Sequence, residues 1–229
     1  VLTRTEGEIA TNTDPAGTWS LVVPLKPLAR AKSRLGRAAG EEARPLLALA
    51  FAQDTVAAAL ACPRVWDVVV VTDDAVAAAA LSALGARIVP DAPGAGLNAA
   101  LAHGARSARA LRPGAAVAAL NADLPALRSG ELARVLDFAS AFPSAFLRDA
   151  AGIGTTFLAA TSGAEFRPAF GGPSASRHLA SGAAEIALSG VDSVRRDVDT
   201  GEDLRVALTL GVGPHTARLA AVPAVARDR

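Results

Sequence analysis

Two short apolar runs, Val68 to Thr72 and Ala115 to Leu120, carry no polar alternation. A strand with one wet face alternates, so unbroken runs of this kind belong to strands covered on both faces, as in the middle of a parallel sheet layered by helices. The surrounding sequence supplies the layers. Ser20 to Val23 reads as a strand and Glu41 to Ala61 as a helix. Val68 to Thr72 follows as a strand, Asp74 to Leu84 as a helix, Arg87 to Pro90 as a short strand, Leu97 to Leu111 as a helix, and Ala115 to Leu120 as a strand. Repeated strand–helix units ask for an α/β fold with a mainly parallel, doubly wound sheet. In the Glu41 helix, Leu46, Leu49, Val56 and Leu60 fall on one stripe, and Pro45 sits near the first turn, where its missing N–H is harmless.

After Leu120 the rhythm changes. A helix is expected near Ser129 to Ala139, strands at Ala145 to Arg148 and Thr155 to Ala159, a Gly/Pro/Ser-rich segment from Pro168 to Ser176, and a helix starting near Ser174. No flexible linker separates the halves, so residues 19–229 read as one domain whose second half supplies the acceptor side of a cleft. Residues 1–18 are polar and aperiodic and read as a flexible leader.

Charge narrows the partners. With 23 basic and 22 acidic side chains, the molecule offers no global field for nucleic acid or an anionic membrane. No stretch reaches the roughly 20 apolar residues that span a bilayer, and the first residues are too charged for a signal peptide, so a cytoplasmic protein is expected. The one cysteine, Cys62, can form no intrachain disulfide and reads as a small buried residue.

Basic charge is instead local. Lys26, Arg30, Lys32 and Arg34 lie within Pro24 to Gly36, directly behind the first strand. Carboxyl ends of strands in an open α/β sheet border the ligand crevice, and cations there suit a phosphorylated ligand, although a solvated basic turn has the same composition. Acidic charge gathers at two places. Asp123 stands just past a central strand in LNADLPAL, as a metal ligand or as a turn residue. Asp197 and Asp199, two apart in RRDVDTGEDL, would point to one face of an extended segment and could approach one cation. Asp199 or Thr200 could equally cap the helix that follows. Carboxylates arriving with a separate basic loop match the needs of nucleotidyl transfer, in which a divalent metal screens a triphosphate and lysine neutralises the leaving pyrophosphate. GIGTTFL and FGGPSASRH supply hydroxyls and backbone N–H groups ahead of the Ser174 helix, where Arg177 could bind an anion. His103, His178 and His215 share no metal-ligand spacing, and no nucleophile elbow is present.

Taken in order, VPLKPLARAKSRL, Leu97-Asn98-Ala99-Ala100-Leu101, ADLPAL, GIGTTFL, FGGPSASRH, RRDVDTGEDL and LGVGPHTARL resemble the guanylyltransferases of coenzyme F-420 biosynthesis, from about Trp19 to Leu219. These act on phosphoenolpyruvate or 2-phospho-L-lactate. The resemblance implies a single Rossmann-like domain of the nucleotide-diphospho-sugar-transferase kind, with GTP as donor, Mg²⁺ and released pyrophosphate. It also implies a diphosphate ester handed on to the transferase that uses it. By the same resemblance Lys26 contacts phosphate, Lys32 and Arg34 complete the nucleotide loop, and Thr155, Gly171 and Ser174 hold phosphoenolpyruvate. Asp123, Asp197 and Asp199 are the implied metal aspartates, with Lys26, Asp123 and Asp199 catalytic. Asn98 is the candidate for reading the base, with helix capping as its alternative. A homodimer is the expected assembly.

Departures exist. Asn121-Ala122 precedes Asp123 where a glycine often stands, and Gly172-Pro173 replaces a Pro-Asp pair beside Ser174, which leaves the acceptor open between the two acids. A sugar-phosphate or molybdenum-cofactor nucleotidyltransferase would show a GGxGxR-like loop after the first strand, which Pro24 to Gly36 lacks. A non-catalytic nucleotide-binding module would have lost carboxylates or lysines that are present here.

Overall fold

The computed structural model describes residues 18–31 and 42–221. Lys32, Arg34 and nearly all of the leader lie outside them. Seven strands form one sheet in the order β3-β2-β1-β4-β6-β5-β7. They are β1 (Trp19–Pro24), β2 (Val65–Val71), β3 (Arg87–Val89), β4 (Ala116–Leu120), β5 (Ser144–Arg148), β6 (Thr155–Ala160) and β7 (Ala184–Glu185). The first four pair in parallel. β6 runs antiparallel to both of its neighbours, β4 and β5.

Both faces of the sheet are covered, and the unbroken runs divide between them with the period of two that a pleat imposes. On one face Leu21, Val23, Val68, Val70, Ala118 and Leu120 meet α1 (Ala43–Leu60), α2 (Ala75–Ser82) and α4 (Ser129–Ala139). On the other, Val22, Val69, Val71, Val117 and Ala119 meet α3 (Leu97–Leu111). α3 approaches closely because Gly104 has no side chain. A Cβ there would lie 2.5 Å from Val22 Cγ1 and 2.7 Å from Val71 Cγ2.

α1 departs from the expected single stripe. Leu46 is exposed, while Ala48, Ala52, Val56 and Ala59 face the sheet and Leu47 and Phe51 pack against Val198, Leu204 and Ala207. The helix is buried on two sides because α7 (Gly201–Leu210) and α8 (Pro214–Ala220), which follow α5 (Ser174–Ala180) and the short α6 (Asp192–Arg195), lie over it. An Ala-rich helix covered twice has no single apolar stripe to read. Asp54, buried in α1, anchors α8 by accepting from the amides of His215 (3.0 Å) and Thr216 (2.8 Å). Cys62 is buried as expected, and among the described residues no helix is long and apolar enough to cross a membrane.

The order of the strands positions the site. From β1 the chain moves outward to β2 and β3, then returns to place β4 on the other side of β1. Neighbouring loops after β1 and β4 therefore diverge, leaving a crevice at the carboxyl ends of both strands. Because β6 is antiparallel, it begins at that same edge, where the Asn121 amide donates to Thr156 O (3.0 Å).

Candidate active site

A cleft of about 700 Å³ opens at this switch point. It is lined by Lys26 and Arg30 from the loop after β1, Asp123 from the loop after β4, Thr155 from the start of β6, Gly171 and Ser174 from the Gly/Pro/Ser-rich segment, and Asp197 and Asp199 ahead of α7. The sheet thus brings together residues separated by up to 173 positions, all named above in the basic loop or as site candidates. The volume lies within the roughly 300–1,000 Å³ of ordinary ligand pockets.

Each wall is locally fixed. On the basic side, the Leu25 amide donates to Val71 O (2.9 Å) and the Leu28 amide to Asp74 Oδ2 (2.8 Å). Asp74 also caps α2, its Oδ1 accepting from Val76 and Ala77 at 3.0 Å each. The Ala77 amide foremost, with those of Leu28 and Val76, holds the Asp74 carboxyl below its usual range despite some desolvation. The basic loop and the helix N-terminus therefore share one carboxylate.

Asp123 sits in a loop gripped by α1. Thr55 Oγ1, buried, accepts from the Leu124 amide (3.0 Å) and donates to Phe51 O (2.7 Å). The Val198 amide donates to Asp123 O (3.0 Å), which ties the two acidic segments together. Val198 is buried in the cluster with Leu47 and Phe51, so the residues on either side of it, Asp197 and Asp199, share the opposite, cleft-lining face. The helix cap is supplied by Thr200, which forms a capping box with Asp203.

Among the described residues, no group of three or more His, Cys, Asp or Glu side chains is gathered closely enough to enclose a metal ion. The fold therefore gives Asp123, Asp197 and Asp199 a shared cleft and no ready-made three-carboxylate cage. All-oxygen, anionic donors nevertheless fit Mg²⁺, which ordinarily takes one or two carboxylates and fills its octahedron with water and substrate phosphates.

On the acceptor side the structure gives two expected anion binders partners within the protein. α5 (Ser174–Ala180) does not aim its first amides at the cleft, since Ser174 N donates to Gly172 O (2.8 Å) and Ala175 N to Ile153 O (3.1 Å). Thr155 and Ser174 line the cleft there. Arg177 turns back onto its own loop, donating to Ala169 O (Nε 3.1 Å, Nη2 2.9 Å) and Gly171 O, so it braces this segment. Asn98 does similar work. Its Nδ2 donates to Phe170 O (3.2 Å) and its Oδ1 accepts from Phe170 N (2.8 Å), so each end of the amide expected to read a base also holds the acceptor loop. The cap of α3 is Gly96, so the capping alternative for Asn98 is not realised. Gly172 has φ +48°, a conformation closed to proline, so the Gly172-Pro173 departure comes with its own loop shape.

Two site residues escaped sequence reasoning. Asp149 lines the cleft and shapes the β5–β6 loop, accepting from Ile153 (3.0 Å) and Gly154 (2.8 Å) amides. A local signal existed, an aspartate followed by a glycine-rich stretch able to bend back to it. His178 lies behind the acceptor wall, fully buried between Phe146 and Phe170, with ring centroids 5.8 and 5.2 Å away. Burial, with Arg177 as a lesser cause, pushes its pKa down to about 4.

Comparison with known proteins places this geometry. The family described as guanylyl transferase CofC like matches residues 19–219. A phosphoenolpyruvate guanylyltransferase of Streptomyces coelicolor is 68% identical over 203 residues, covering 89% of this chain and 96% of that protein. Another of the same name, from Thermomonospora curvata, is 61% identical, covering 93% of each chain. Among solved structures, a protein from Desulfovibrio desulfuricans G20 described as a nucleotide-diphospho-sugar transferase superposes with a TM-score of 0.69 at 16% identity, covering 92% of this chain and 97% of the other. At that identity the likeness concerns the fold.

Proposed function

The chain belongs to the guanylyl transferase CofC-like family, and from that premise we propose that it is a phosphoenolpyruvate guanylyltransferase, moving GMP from GTP to phosphoenolpyruvate with release of pyrophosphate. The observation that carries this reading is the shared cleft at the switch point. Lys26 and the carboxylates of Asp123, Asp197 and Asp199 line it together with Thr155 and Ser174. Relatives carrying that name at 61–68% identity over most of both chains support the choice of acceptor.

A phosphate oxygen of the acceptor attacks the α-phosphorus of GTP. The new P–O bond forms as the bond from the α-phosphorus to the α–β bridging oxygen breaks, and pyrophosphate leaves with that electron pair. The acceptor phosphate has a second pKa of about 6, so it is largely ionised at neutral pH and needs no strong general base. This chain has to position the two anions and offset their charge. Lys26 would stabilise charge on the triphosphate, with Lys32 and Arg34 assigned to the same group by the family resemblance. Asp123, Asp197 and Asp199 would hold Mg²⁺, which when bound screens the phosphate charge. Thr155, Ser174 and the Gly171 loop would hold the three-carbon acid, and the ester product would pass to the transferase that consumes it.

The test is pyrophosphate release by purified protein with GTP and Mg²⁺, with phosphoenolpyruvate and 2-phospho-L-lactate compared and the product intercepted by the consuming transferase. Turnover with phosphoenolpyruvate alone is expected. Turnover confined to 2-phospho-L-lactate would correct the acceptor, and silence with both would overturn the reading.

A further inference from the structure

We infer that His178, which does not line the cleft, is a positioning residue that turns the Thr155 hydroxyl into a fixed hydrogen-bond donor for an anionic oxygen of the acceptor; the inference rests on the acceptor side proposed above. The chain of hydrogen bonds sets the direction. The Ala169 amide donates to His178 Nε2 (3.0 Å), so Nε2 carries no proton and the neutral ring bears its hydrogen on Nδ1. Nδ1 lies 3.0 Å from Thr155 Oγ1 and must donate to it. Ser174 Oγ lies 3.1 Å from the same oxygen and is assigned as the donor of that pair. A hydroxyl has two lone pairs and one hydrogen. With both Thr155 lone pairs occupied, its hydrogen is left for a partner in the cleft that Thr155 and Ser174 line.

The surroundings hold the ring in this role. Thr155, Ser174 and His178 are all buried, so water cannot readily substitute for a missing partner, and Phe146 and Phe170 flank the imidazole. The same ring fixes the acceptor loop through Ala169, beside the Phe170 that Asn98 clamps. One side chain therefore sets both the loop and the hydroxyl. A donor oriented before the ligand arrives suits an anion better than a freely rotating hydroxyl.

Two substitutions separate these duties. In His178→Asn the side-chain amide can occupy the place of Nδ1 and still donate to Thr155, whereas in His178→Gln it reaches the place of Nε2 and retains only the Ala169 bond. His178→Gln should raise the acceptor KM roughly tenfold or more, the scale of one hydrogen bond to a charged group. The GTP KM should stay within about twofold, and His178→Asn should keep the acceptor KM near wild type even if it melts earlier. In a Thr155→Val background, His178→Gln should add nothing further. Long-range proton–nitrogen NMR of the wild type should show Nδ1 protonated and Nε2 bare. A protonated Nε2, or equal acceptor KM values in the Gln and Asn variants, would overturn the inference while leaving the activity intact. Absence of any wild-type turnover would instead remove the functional reading and the acceptor role together, with the NMR result still reporting whether the relay exists.

Discussion

At the scale of single residues, what could be read from sequence was the chemistry exposed at strand ends. Lys26 and Asp123 sit two and three positions past a strand end and Thr155 opens a strand, so an apolar run beside a charged or hydroxylated residue was enough to place them. Asp74 and His178 were opaque for the opposite reason, since their partners lie 46 and 23 residues away and only the folded chain brings them together. Asp199→Ala is expected to lower kcat by roughly 100-fold or more. Its thermal midpoint should hardly move, because Val198 makes the packing contact and Thr200 the cap. Retention of full activity would remove Asp199 from the metal-binding set.

His178 also gives a pH dependence of definite sign. Its folded pKa of about 4 lies below the ordinary 6.5, so between these values the unfolded chain binds the proton more readily. The contribution is fully present above pH 6.5 and declines as pH falls toward 4, by something on the order of 3 kcal/mol. Urea titrations at pH 7 and 4.5 should show a larger acid loss in the wild type than in His178→Gln. Equal losses would mean that the ring is not buried as a neutral base.

At the scale of elements, boundaries set by local signals were legible and those set by tertiary cover were not. The helix Leu97–Leu111 and the helix Ser129–Ala139 appear where their patterns put them. The short β7, and the second burial of α1 under α7 and α8, depended on neighbours that no window of sequence contains. Asp74 links two elements, so Asp74→Ala should cost about 1–2 kcal/mol at pH 7 by uncapping α2. Because its folded carboxyl is held low, this advantage over the variant should be complete above about pH 4 and vanish as pH falls through the folded value. Gly104→Ala tests the seating of α3. With Val22 and Val71 already inside contact distance, the added methyl should cost about 1–3 kcal/mol. Gly130→Ala is the control, because α4 leaves open space there and the exchange should be neutral or gain up to about 1 kcal/mol. Comparable losses at both glycines would show that helix propensity, and not the close approach to the sheet, governs the result.

At the scale of the whole molecule, the sheet order matters more than any one residue. The parallel half supplies the basic loop and Asp123, and the antiparallel β6 returns the chain so that Thr155 starts at the same edge. The sequence conveyed the parallel half through its unbroken apolar runs, but pairing direction in the second half leaves no comparable trace. If the cleft works as one unit, nucleotide binding should stabilise the entire domain. At a free GTP concentration about 100 times its Kd, linkage adds about 2.7 kcal/mol, which for a domain of this size corresponds to a rise in thermal midpoint of roughly 5–10 °C. That rise should require Mg²⁺, disappear with a chelator, return when Mg²⁺ is restored, and be much reduced in Asp199→Ala. A shift that persists undiminished in the chelator would place GTP on the basic loop alone. The carboxylates would then lose their assigned part in holding the nucleotide, while the fold and its switch point would stand unchanged.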